Sequence, residues 1–117
     1  MKTLLFLLLP QLTFAASLIT CETVERYSDQ RVESSFQVPI EDGMAFKQLP
    51  SQRDPSIRFT AYYNQSMDVL GARVHDDHTG TQSGNYVEPS HEKAAVKVRY
   101  LKTKPETQLF AIDCTMK

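Results

Sequence analysis

Ile57-Arg58-Phe59-Thr60-Ala61-Tyr62-Tyr63 places its apolar residues at every second position. Successive side chains of an extended backbone point to opposite faces, so this heptapeptide reads as a strand. Ile57, Phe59, Ala61 and Tyr63 form its inward row, and Arg58, Thr60 and Tyr62 form the outward one. The same period recurs on both sides of it. Val32, Ser34, Phe36, Val38 and Ile40 alternate with Glu33, Ser35 and Gln37, and Pro39 marks an edge or a strand end. Leu70, Ala72 and Val74 alternate with Gly71, Arg73 and His75, and Val96, Val98 and Tyr100 with Lys97 and Arg99. Near the termini, Ile19 and Cys21 share one row, and Phe110, Ile112 and Cys114 share another.

Turn-like breaks separate these runs. Asn64-Gln65-Ser66 and Lys104-Pro105-Glu106 are short enough for hairpins. Asn64-Gln65-Ser66 also matches the N-glycosylation sequon, which has meaning only in a eukaryotic source. Glu41-Asp42-Gly43 precedes a short extended piece from Ala45 to Leu49, and a proline-bounded loop runs from Pro50 to Pro55. No stretch sustains a 3.6-residue period; the nearest approach is a helical turn at Ser90 to Ala95. The expected fold is therefore all-β: a small antiparallel β-sandwich or barrel of about six to seven strands.

The two cysteines bear on where this fold lives. Lys2, the apolar run Leu4 to Leu9 and the small residues around Thr13 and Ala15 have the form of a secretory signal peptide cut after Ala15. The run is far shorter than the roughly 20 residues that span a bilayer, so no transmembrane helix is expected in the mature chain. Residues 1–15 are thus read as the leader and 16–117 as a single β domain, secreted or periplasmic. In such a compartment Cys21 and Cys114, each in an inward row of a terminal strand, are expected to form a disulfide. A competing reading makes Leu18-Ile19-Thr20-Cys21 a lipoprotein box with acylated Cys21. Thr20 stands where a smaller residue is usual, and Cys114 would be left unpaired, so the disulfide is the better reading.

Charge removes several function classes. The chain has 13 Lys+Arg against 14 Asp+Glu, a formal net charge of −1, and loss of Lys2 with the leader makes the mature balance one unit more negative. Nothing here supplies the clustered basic face that nucleic acid requires, nor a polybasic run for an anionic membrane. There is no G-x-S-x-G, no phosphate-binding P-loop and no C-x-x-C.

One segment lacks alternation: His75 to Glu92, which holds all three histidines, several carboxylates and two glycines, and reads as a long loop. His75, Asp77, His78 and His91 offer imidazole and carboxylate ligands suited to Zn²⁺ if the loop folds back. The spacing does not compel this, and a solvated polar loop accounts for the same residues. His78 with Asp76 or Glu92 as an acid/base pair is a weaker reading still. The outward Arg58 and Tyr62 are candidate contact residues, since Arg and Tyr are favoured in interfaces. The sequence therefore favours a non-enzymatic binding or structural module of the cell envelope or exterior, with no cofactor and with an unknown protein or small ligand as partner. The alternative is a metal-binding protein or small metal-dependent enzyme built on the His75 to Glu92 loop.

Overall fold

The computed structural model describes residues 18–91 and 93–116; the expected leader, 1–15, lies outside them. The fold is a β-sandwich of eight strands: β1 (Leu18–Arg26), β2 (Arg31–Pro39), β3 (Met44–Pro50), β4 (Ile57–Asn64), β5 (Val69–Asp76), β6 (Thr81–Val87), β7 (Ala95–Lys102) and β8 (Gln108–Met116). One antiparallel sheet has the order β2-β1-β8-β7 and the other β3-β4-β5-β6. The chain begins in the first sheet with the β1–β2 hairpin, crosses to build the second as a four-strand meander, and returns for β7 and β8. That return lays the last strand beside the first.

The sandwich settles the choice left open between sandwich and barrel, and two strands exceed the plainest expectation. The piece from Ala45 to Leu49 is a full edge strand, β3. More instructive is β6, which occupies the middle of the segment read as a loop. Its sequence Thr-Gln-Ser-Gly-Asn-Tyr-Val has no buried row, because an edge strand here packs polar groups rather than apolar ones. Ser83 Oγ donates to the Arg99 carbonyl at 2.9 Å and Asn85 Nδ2 to the Lys97 carbonyl at 3.5 Å. These side-chain bonds close the seam between β6 and β7. The expected helical turn near Ser90 is a hydrogen-bonded turn, His91 N–H to the Glu88 carbonyl.

The inward rows meet between the sheets. Ile19, Ile57, Phe59, Leu70, Val74, Phe110 and Ile112 are buried together with both cysteines. Phe110 is the hub, with ring centroids of Tyr27 at 5.9 Å and of Phe59 and Tyr100 each at 6.5 Å. Burying one such aliphatic or aromatic side chain is worth roughly 1.5–3 kcal/mol, so this row dominates the stability of the domain. Cys21 and Cys114 face each other across β1 and β8 with Cα atoms 4.1 Å apart and are joined by a disulfide spanning 93 positions. The bond lies inside the core, as the two inward rows require.

Two acidic side chains are buried among the described residues, Asp76 at one end of the sandwich and Glu25 beside the Phe110 cluster. Glu25, 1% exposed, ends the inward row of β1. Tyr27 Oη and Ser51 Oγ both donate to its Oε1, and the Gln52 N–H donates to Oε2 at 2.9 Å. A buried carboxylate is tolerable only when its lone pairs are occupied in this way. Burial, then the bond to Glu25, push the Tyr27 phenol up to about 12. The cluster ties β1 to the loop that follows β3, and thereby one sheet to the other.

Candidate functional site

Two surface regions stand out. The first is the outer face of the β3–β6 sheet. Antiparallel register carries one cross-strand row from edge to edge: Phe46 on β3 opposite Tyr62 on β4, Tyr62 opposite Gly71 on β5, and Gly71 opposite Tyr86 on β6. Phe46 is 67% and Tyr86 61% exposed. Gly71 has a packing reason. A Cβ at that position would lie 2.1 Å from Tyr62 Cζ, so the ring of Tyr62 rests on the glycine backbone. Arg73 lays its guanidinium over the same ring, 4.8 Å from the centroid, an arrangement in which the positive charge meets the negative face of the π system. Five large apolar side chains are exposed among the described residues. Three of them, Met44, Phe46 and Tyr86, stand on this face, and Met67 sits in the β4–β5 turn at its end.

The opposite outer face differs in chemistry. There β1, β2, β7 and β8 present Glu22, Glu33, Lys97, Arg99 and Asp113, with Arg99 and Asp113 paired at 2.7 Å. That is an ordinary solvated surface. Scattered exposed apolar residues need no explanation, whereas a clustered row on one face of two does.

The expected contact residues both lie on the aromatic face, in different states. Tyr62 is the centre of the row. Arg58 is committed: its Nε and Nη2 donate to the two carboxylate oxygens of Asp77, each at 2.8 Å, and its Nη1 to Gln48 Oε1 at 2.7 Å. That pairing holds the Asp77 carboxyl below its ordinary range. Thr60 belongs to the outward row by register but is only 1% exposed, and its hydroxyl accepts from Gln48 Nε2 at 3.2 Å. Phe46 and Tyr86 were missed because only strand register, not spacing along the chain, brings them into line with Tyr62.

The second region is a cleft of about 720 Å³ at the end of the sandwich where the β5–β6 turn meets the β7–β8 loop. Its floor is a polar bridge between the sheets. Asp76, 1% exposed, accepts from Tyr100 Oη at 2.9 Å through Oδ2 and from the His78 N–H at 3.0 Å through Oδ1. Asp54 Oδ1 accepts from the Ser56 N–H and hydroxyl at 3.0 and 2.7 Å. Lys102, with its side chain 11% exposed, reaches Asp54 at 3.1 Å and Asp76 at 4.0 Å. Burial pushes the Asp54 carboxyl up, but the bonds from Ser56 and Lys102 outweigh it, and the group stays below its ordinary range. Burial and the bond to Asp76 raise the Tyr100 phenol.

The four residues expected to converge on a metal are dispersed. His75 stands on the aromatic face beside Arg58, Asp77 is held by Arg58, and His78 lines the cleft. His91 lies on the β6–β7 connection, bound to Asp68 of the β4–β5 turn at 3.0 Å. Among the described residues no group of three or more His, Cys, Asp or Glu side chains is placed to hold a metal ion.

His91 nonetheless belongs to a cluster of serine, histidine and aspartate. Ser90 Oγ lies 3.1 Å and Asp68 Oδ2 3.0 Å from the same ring nitrogen, Nδ1, and Ser90 Oγ donates directly to Asp68. A catalytic relay needs the nucleophile on one ring nitrogen and the carboxylate on the other. Here the cluster is a clamp that fastens the β6–β7 connection to the β4–β5 turn.

The chain matches no protein family, no curated protein and no solved structure. Among the described residues, no helix is long and apolar enough to cross a membrane.

Proposed function

We propose that this chain is a non-enzymatic binding module, working in the periplasm or outside the cell, whose contact surface is the outer face of β3–β6. The observation that carries the reading is the aromatic row Phe46–Tyr62–Tyr86, which runs from one sheet edge to the other beside Arg73 with Phe46 and Tyr86 exposed and Tyr62 half-buried between them. Rigid rings present large apolar area at small entropic cost, and Tyr and Arg dominate the energetics of protein interfaces. Tyr62 is already held flat by Gly71 and Arg73, so little ordering remains to be done when a partner arrives. Export follows from the leader-like residues 1–15 and is compatible with the internal disulfide.

A photo-crosslinking residue at position 46, with one at position 37 on the opposite sheet as control, tests the face in the source cells. The reading predicts a discrete adduct from position 46 alone. The partner so identified should bind the purified chain, and Phe46→Ser with Tyr86→Ser should weaken that binding at least about tenfold, or roughly 1.4 kcal/mol, without lowering Tm. Adducts identical from both positions, or undiminished binding by the double variant, would exclude this face.

A further inference from the structure

We infer that the end cleft is a second binding site, and that its ligand is a neutral, hydroxyl-rich molecule of the saccharide class. Size admits a small ligand, since about 720 Å³ falls within the usual range of roughly 300–1,000 Å³. The charges then narrow its chemistry. The lining carries Asp54 and Asp76 together with Lys102 and Lys104, so its formal charges cancel. Neither carboxylate is bare: every oxygen of the pair has a donor from Ser56, His78, Tyr100 or Lys102. The Lys102 ammonium is in turn neutralised from two sides, by Asp54 at 3.1 Å and Asp76 at 4.0 Å. Such a floor rewards neither a cation nor an anion strongly, because either ion must compete with partners already in place.

Toward the cleft the lining presents the exposed side chains of His78 and Lys104, and the rest of its open groups are hydroxyls and apolar surface. Thr79, Thr81 and Thr103 line it and are exposed, and the Thr79 hydroxyl donates to that of Thr81 at 2.9 Å. A threonine hydroxyl both donates and accepts, as a sugar hydroxyl does. Leu101, more than half exposed, and Pro105 supply an apolar wall beside the Tyr100 ring, suited to the C–H face of a pyranose. The cleft lies between the β5–β6 turn and the β7–β8 loop, so its occupancy can be followed apart from the aromatic face.

The test is an amide NMR titration of the mature chain with maltose, cellobiose and N,N′-diacetylchitobiose, using glucuronate and glucosamine as anionic and cationic counterparts. At least one neutral sugar should give saturable shifts at residues 76–81 and 100–105, and exceed both charged sugars in affinity. Leu101→Asp and Thr103→Val should each weaken it several-fold while leaving Tm unchanged, and Phe46→Ser with Tyr86→Ser should leave it intact. No saturable shift by any neutral sugar up to about 10 mM, tighter binding of a charged sugar, or shifts confined to the aromatic face would each overturn the assignment. Because the double variant touches only the aromatic face, failure of one site is distinguishable from failure of the other.

Discussion

His75 shows how a residue chosen for one chemistry serves another. It sits outward on β5, opposite Arg58 on β4 and two positions from Arg73 on its own strand, with Asp77 just beyond. Its Nε2 is buried and has no hydrogen-bond partner among the described residues. Burial, and then the positive charges of Arg58 and Arg73, hold its pKa below the ordinary histidine value; Asp77 opposes them more weakly. The neutral ring is therefore the folded form. The unfolded chain takes up its proton first as pH falls, so the stability due to the neutral ring is complete above about 6.5 and declines as pH drops below it. Thermal unfolding of the wild type and of His75→Gln between about pH 7.5 and 5 should show the wild type losing Tm faster on acidification. Parallel curves would mean that His75 is not held neutral.

At the scale of the strand, β6 is the element whose attachment is most unusual. Its backbone pairs with β5 alone, and its inward side chains Ser83 and Asn85 bond to β7 carbonyls instead of entering the apolar core. Each such bond is worth about 0.5–1.5 kcal/mol. Replacing Ser83 and Asn85 by alanine should therefore lower stability by about 1–3 kcal/mol and speed amide exchange in β6 more than in β1 or β8. Exchange unchanged in β6 would show that the seam is held by other means. The same feature explains what the sequence concealed. Strands β1, β2, β4, β5, β7 and β8 announce themselves because one face of each is apolar and the other is not. The Thr81–Val87 strand carries no such contrast, so it reads as part of a polar loop. The cleft was hidden for a different reason. Asp54, Asp76 and Lys102 stand far apart along the chain and meet only when the sheets pack, whereas Tyr62 and Arg58 were visible as the outward row of a single strand.

Across the whole molecule, the topology explains why one covalent bond has such reach. The chain leaves the first sheet after β2 and re-enters it at β7, so its beginning and end are neighbours only through β1 and β8. A disulfide closing a loop of this length removes, in the chain-entropy account, about 4–5 kcal/mol of freedom from the unfolded state. Against a typical domain stability of about 5–15 kcal/mol, this is a large share. It also joins fold to proposed location, since such a bond persists where the surroundings are oxidising. The most direct measurement is the intact mass of the chain recovered after expression with its own leader, taken without reductant. The account predicts residues 16–117 less two hydrogens. A chain that retains residues 1–15, or one that carries both thiols free, would contradict it.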